Sequence, residues 1–317
     1  MPAPVACSPS RRRLLAAAAG LLATGGCAGP AVTAGVPDGA GLDGRIWDVR
    51  AGRFLARGEA LARAARARLL LLGETHDNAW HHRIQAEVLD ALIASGRRPA
   101  LVMEQFDTEH QAAMDAARRD RADAEALARA GRFDARGWEW AYYKPLVEAA
   151  VAKELPVLAA NLSRNAAREL VRAGGAGVAV PAALRGALER DIRDGHCGMD
   201  LPGSMMAGMV AAQSARDARM AQVLASAAGA AGAGGAVLVA GRAHVRRDRG
   251  APAYLDETAR AGLLSIGLME AGPDDRDPLA FLDGTASAPA WDLLWFSRRM
   301  ARPDPCAALR KPAAPAG

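Results

Sequence analysis

Aromatic residues are scarce in this chain: Trp, Tyr and Phe make up 4% of its 317 positions, so the few that occur are informative. Long apolar runs are scarce too. The run Leu14 to Ala23 is ten residues, too short for a bilayer span, which needs roughly 20. Four cysteines occur, without a Cys-x-x-Cys pair, which excludes a zinc knuckle of that type. A strong charge imbalance is missing as well. The formal charge is +5, but residues 1–26 hold Arg11, Arg12 and Arg13 and no acid, and the remainder has 37 basic against 35 acidic residues. A nearly neutral remainder gives no electrostatic footprint for nucleic acid. What is present is a 51% hydrophobic composition, enough for a substantial core in one large α/β domain or two small ones.

The start has the layout of a targeting segment: three arginines, an apolar run, then small residues. Ser10 to Leu15 resembles a twin-arginine export signal, and an ordinary secretory signal with an extra arginine fits the same residues. Thr24-Gly25-Gly26-Cys27 resembles a lipobox. The pattern prefers an aliphatic residue at the place of Thr24, so a soluble periplasmic product is the alternative. Lipidation of Cys27 would supply about 0.8 kcal/mol per buried methylene, enough for stable anchoring when several chains are attached. Residues 1–26 are thus expected to be a signal peptide. Residues 27–41 would be the lipidated Cys27 and a flexible tether, residues 42–300 the main domain, and residues 301–317 a loose tail. Cys197 and Cys306 remain; an oxidising compartment permits them to pair, and nothing in the sequence brings them together.

Five apolar runs have strand character: Arg68–Leu72, Ala100–Met103, Pro156–Ala160, Ala236–Ala240 and Leu263–Leu268. None alternates, which suits strands buried on both faces of a parallel sheet. Helical patterns fill the gaps. Asp77 or Asn78 caps one helix that ends near Ser95 and Gly96. Thr108-x-x-Gln111 has the form of a capping box. Residues 144–154 make another helix with Pro145 in its first turn, and residues 204–225 make one long helix or two short ones. The expected fold is α/β, a mostly parallel sheet flanked by helices in a single main domain.

Ligands of open parallel sheets bind beyond the carboxyl ends of the strands. Glu74 and His76 follow the first run, Glu104 the second, Asn161 the third and His244 the fourth. His81 falls on the inward face of the next helix, where it is either a core histidine or a site residue. Gly73-x-x-His76 and Gly241-x-x-His244 repeat one pattern, a glycine to turn the backbone and a histidine for metal, proton or hydrogen bond. Trp138, Trp140, Tyr142 and Tyr143 gather before the helix at 144–154. Arg216 and Asp217 are either a solvated pair or a site in which Arg216 grips a carboxylate.

These segments resemble a known family. Leu72-Gly73-Glu74-Thr75-His76-Asp77-Asn78 with His81, His82 and Gln85 looks like the opening motif of the ChaN-like haem-binding lipoproteins, within the wider Tiki, TraB and erythromycin-esterase superfamily. Met103-Glu104-Gln105-Phe106, Gln213-x-x-Arg216-Asp217-x-x-Met220-Ala221 and Gly241-x-x-His244-Val245-Arg246-x-Asp248-x-Gly250-x-Pro252 resemble its later motifs. The resemblance spans about residues 68–256. It implies haem as cofactor, a tyrosine iron ligand, and two haems held between two protomers, hence a homodimer. Tyr142 or Tyr143 would supply the ligand, with His81 and Arg216 also binding cofactor.

Two functions follow from one pocket. The first is an exported, membrane-anchored haem-binding lipoprotein facing the periplasm or the cell exterior, active in haem or iron acquisition. The second is a hydrolase of peptide or ester bonds, with Glu74 as general base and His76, Glu104 and His244 orienting water or binding a divalent metal ion. A periplasmic interaction protein with an inactive site is a third. All but the last require Glu74, His76, Glu104 and His244 to converge.

Overall fold

The computed structural model describes residues 41–230, 234–282 and 289–307. The expected signal segment, Cys27, nearly all of the tether and the end of the tail lie outside the described residues.

The chain enters through a short hairpin, β1 (Ile46–Asp48) and β2 (Arg53–Leu55), and α1 (Arg57–Arg66). Then come β3 (Leu69–Glu74), α2 (Ala79–Ala94), β4 (Ala100–Asp107), α3 (Gln111–Arg119), α4 (Ala124–Ala130) and α5 (Trp140–Ala152). β5 (Val157–Asn161), α6 (Arg164–Arg172), α7 (Ala182–Gly195) and α8 (Gly203–Gly229) follow. The last elements are β6 (Ala236–Gly241), α9 (Glu257–Ala261), β7 (Leu263–Ala271) and β8 (Leu293–Arg298).

All five expected strands form, and they are parallel. The sheet order is β2-β1-β8-β7-β3-β6-β4-β5; β8 joins the parallel set, and only the β1–β2 hairpin runs antiparallel at one edge. β3 and β6 are buried along their whole length, the signature of a sheet covered on both faces. Leu69 and Leu71 face α8, packing with Met220, Ala221 and Leu224. Leu70 and Leu72 face α1 and α2, packing with Ala60, Ala64, Ile84, Val88 and Leu92. Each buried leucine contributes about 1.5–3 kcal/mol. The hairpin strands β1 and β2 escape sequence reading because each is only three residues long.

Of the helix ends expected from sequence, those of α2 form as expected and two others differ. Asn78 caps α2 through its side chain, which accepts from the amides of Trp80 and His81, and Gly96 takes the left-handed φ of +84° that ends the helix. The capping box at Thr108 does not form. Thr108 donates to the Asn161 carbonyl, and Gln111 accepts from the Ala159 amide and donates to the Val157 carbonyl. β5 is an edge strand with open backbone groups, and Gln111 satisfies them. The second exception is α5, which starts at Trp140 with Glu139 capping it, so that Pro145 sits in its second turn.

Residues 301–307 have no regular structure, yet they are pinned. Arg302 pairs with Asp77 and Glu270, and Cys306 is disulfide-bonded to Cys197.

Candidate functional site

β3 pairs with β6 on one side and β7 on the other, while β4 lies beyond β6. The chain therefore reverses its direction of strand addition around β3 and β6, which opens a crevice at their carboxyl ends. The glycines there provide space rather than a left-handed turn. A Cβ on Gly73 would lie 2.2 Å from Val245 and 2.9 Å from the Arg242 backbone. One on Gly241 would lie 2.9 Å from Cε1 and 3.1 Å from Nε2 of His76. β4 carries a register irregularity between Met103 and Asp107. Neighbouring residues on a regular strand point to opposite faces; here Glu104 and Gln105 both reach the site.

Glu74 is the centre of one buried cluster. Its Oε1 accepts from the Tyr143 hydroxyl at 2.5 Å and from Gln105 Nε2 at 3.3 Å, and it meets His76 Nδ1 at 2.9 Å. Its Oε2 accepts from Gln85 Nε2 at 2.7 Å, with His82 Nδ1 at 3.4 Å. Burial pushes the Glu74 carboxyl up, but the His76 hydrogen bond, His82 and Tyr143 together bring it below its ordinary value. Little of this carboxylate is left for water. The expected role of Glu74 as general base does not suit its surroundings, whereas a role in orienting His76 does.

His244 is the centre of the second cluster. Its Nδ1 lies 2.7 Å from Asp217 Oδ1, its Nε2 lies 3.4 Å from Glu104 Oε1, and Glu104 Oε2 accepts the Gly241 amide at 2.6 Å. Burial disfavours the imidazolium, yet the flanking charges of Glu104 and Asp217 prevail and raise His244 to about 10. Glu104, buried but facing His244, falls to about 2. Asp217 stays above its ordinary value although it is the nearer partner. Burial outweighs His244 there, and Glu104 adds like charge.

His76 faces outward. Its side chain is 45% exposed, and its ring meets Trp138 edge-on at 4.6 Å. Two crevices, of about 650 and 430 Å³, open on either side of it and share His76 and His244. Both volumes fall in the range of roughly 300–1,000 Å³ typical of ligand sites. The larger holds Arg242, Arg246, Arg249 and Trp291, the smaller Glu104, Trp138, Arg132 and Arg216.

Glu74, His76, Glu104 and His244 thus converge as expected from their strand-end positions, and Arg216 joins them. Its Nε is buried without a hydrogen-bond partner, and no carboxylate pairs with it among the described residues; neither Glu74 nor Glu104 is its partner. The other expected cofactor residues are placed differently. Tyr143 is fully buried and donates to Glu74, and burial with the Glu74 charge pushes its phenol far above the ordinary value. Tyr142 stacks on His82 at 4.8 Å and lines neither crevice. His81 is fully buried; its Nδ1 accepts the Thr75 amide at 2.9 Å, and burial lowers it to about 4. It holds the turn after β3 as a neutral core histidine.

Sequence reading missed Asp217, Gln85 and Gln105 as working parts of the site. Asp217 had a signal, since it lies on the buried α8 stripe with Val210, Met220 and Leu224. Among the described residues, the one group with three potential metal-ligand atoms in reach of one ion is Asp107, Glu109 and His110, at the partly exposed start of α3. The strand-end cluster is not such a cage.

A family model described as "Haem-binding uptake, Tiki superfamily, ChaN" matches residues 60–255. The structure of cofacial haem binding to ChaN of Campylobacter jejuni is similar, with a TM-score of 0.64 at 19% identity over 79% of this chain and 95% of that one. That likeness extends to the fold. The type III effector HopBA1 gives 0.45 at 13% identity over 75% and 91%, a score too low for a fold argument. No curated protein matches the sequence significantly.

Proposed function

This chain belongs to the ChaN haem-binding uptake family of the Tiki superfamily, and on that footing we propose that it binds haem at the strand-end crevices and serves haem or iron acquisition. The observation that carries this reading is Arg216. A buried, unpartnered guanidinium nitrogen in a crevice beside two histidines needs an anion, because an unsatisfied buried donor costs about 1–3 kcal/mol or more. A haem propionate supplies one, and Arg216 can accept it through its planar fork. Arg132 lines the same crevice without a carboxylate partner among the described residues, and Trp138 offers an aromatic surface for the porphyrin. The relative from Campylobacter jejuni is described with cofacial haems, which supports a homodimer here. Export as a lipoprotein through Cys27, facing the periplasm or cell exterior, completes the proposal and rests on the sequence pattern.

Bound haem would supply the iron centre, and the protein's part is to seat and release it. The test is an absorption titration of the purified mature chain with haemin. Saturable binding with a shifted Soret band is expected; free-haemin spectra throughout would reject the reading.

A hydrolase is the second reading, favoured by one observation: His76 pairs a buried carboxylate with an exposed ring, the geometry of a histidine general base. In that case His76 replaces Glu74 as the base.

A further inference from the structure

We propose that the chain holds a second ligand site, a basic groove at the amino ends of β4 and β5 that takes an anion with two or more phosphate groups, free or as a lipid headgroup. The site is independent of the haem reading. Glu74, His76, Glu104 and His244 lie toward the carboxyl ends of the parallel strands, and the groove opens at the opposite end of the sheet.

The groove encloses about 690 Å³ and is lined by Arg98, Arg118, Arg119, Arg121 and Lys153, with Glu154 as the one acid. Elsewhere exposed arginines find acids, as Arg53 does with Glu59, Arg164 with Asp134 and Arg302 with Asp77. Among the described residues no ion pair joins any of these five cations; Arg98 donates to the Lys153 carbonyl at 2.8 Å. Helix dipoles account for part of the clustering, because α3 and α5 both end here and their last carbonyls favour cations. The charge count shows that they are not the whole reason. Each helix end supplies about half a negative charge and Glu154 one, which leaves about three positive charges uncompensated. Residues 27–317 as a whole are nearly neutral, so this excess is local.

The rim of the groove is built in advance. Arg121 and Glu154 stand just past the C-caps of α3 and α5 at φ of +56° and +51°, the left-handed region that ordinarily goes to glycine. Their amides bond back to the Arg118 and Val151 carbonyls at 3.1 and 3.0 Å, which fixes both turns, and Arg98 ties the entry of β4 to the end of α5. A rim backbone set before the ligand arrives lowers the ordering cost of binding. Beneath it Leu127, Leu155 and Val157 are buried and form an apolar floor, against which Coulomb attraction exceeds its value in open water. Four of the five cations are arginines, whose planar forks match phosphate oxygens in pairs. A phosphate group carries roughly one to two negative charges near pH 7. Two such groups match the local excess, and a single carboxylate does not.

The experiment titrates pyrophosphate into the chain from residue 27 onward, carrying Cys27→Ser to exclude acyl chains. Binding is read by calorimetry and by melting temperature at low ionic strength, where exposed charges are least screened. The lipid arm is cosedimentation with phosphatidylcholine vesicles with and without cardiolipin, whose headgroup holds two phosphates. Saturable binding is expected, and the arm in which it occurs names the source. Arg118→Ala combined with Arg121→Gly should remain folded by circular dichroism, since both side chains are exposed and glycine suits the left-handed φ. This pair should weaken binding about 25-fold, at about fivefold per cation. Arg50→Ala with Arg185→Ala removes as much charge from exposed positions outside the groove and should keep the wild-type affinity. No binding in either arm overturns the site. So does binding that the groove pair leaves intact, or that both pairs weaken equally.

Discussion

Replacing His244 with Gln removes the one cation between two buried carboxylates while keeping a hydrogen-bonding side chain. Glu104 and Asp217 are 3% and 1% exposed, so water cannot take over the role of the imidazolium. Removing one partner of a buried ion pair costs about 3–5 kcal/mol. At roughly 2–4 °C per kcal/mol for domains of 150–250 residues, the melting temperature should fall by about 6–20 °C. The pH dependence separates this cause from simple loss of packing. His244 is raised in the folded state to about 10 from an unfolded value near ~6.5. Its stabilisation is therefore complete below ~6.5 and is lost as the pH rises through about 10. One proton sets a limit of about 1.4 kcal/mol per pH unit on that slope. Denaturant unfolding between pH 7 and 9 should show wild-type stability declining and His244→Gln lacking this contribution. Adding Asp217→Asn should return part of the loss, because one of the two facing carboxylates is then neutral. Equal pH slopes in wild type and variant, or a loss under about 1 kcal/mol, would refute the charged-sandwich account.

Tyr143→Phe removes one donor from the buried Glu74 and should cost about 1.5–3 kcal/mol, the range for hydrogen bonds to charged groups, while the ferric haem spectrum stays that of wild type; a changed spectrum would return Tyr143 to the list of ligands. The Cys197–Cys306 bridge closes a loop with a sequence separation of 109, so Cys306→Ser should lower stability by about 2–4 kcal/mol in the oxidised protein, and reductant should lower the wild type to a similar midpoint; no change on either treatment would mean that the bridge does not hold the fold. Cys27→Ser should abolish acyl labelling and release the protein from membranes without changing the melting temperature of the domain, and unchanged membrane retention would reject the lipid anchor.

Much of the architecture is determined locally and was legible. Non-alternating runs such as Leu69–Leu72 and Ala236–Ala240 can be buried only on both faces, so a parallel sheet followed from composition and order. Asn78 and Gly96 mark the ends of α2 because capping is a matter of a few neighbouring residues. Strand-end placement was enough to nominate Glu74, His76, Glu104 and His244. The tertiary structure alone decided what each does. Glu74 and His244 are spent on partners that arrive from α2, β4, α5 and α8, among them Tyr143, 69 residues from Glu74. A register irregularity in β4, which leaves no mark in composition, accompanies the turn of Glu104 and Gln105 toward one site. Tyr142 or Tyr143 was the iron ligand that the family resemblance implied, yet Tyr143 is a buried donor to Glu74, while Trp138 faces the crevice. Cys197 and Cys306 were two residues with a permissive compartment until folding set their Cα atoms 5.6 Å apart. Residue types and strand order are properties of a linear chain; the direction in which a buried polar atom finds its partner is set by packing between segments distant in sequence, and here it turns His244 inward between Asp217 and Glu104 and leaves His76 at the crevices.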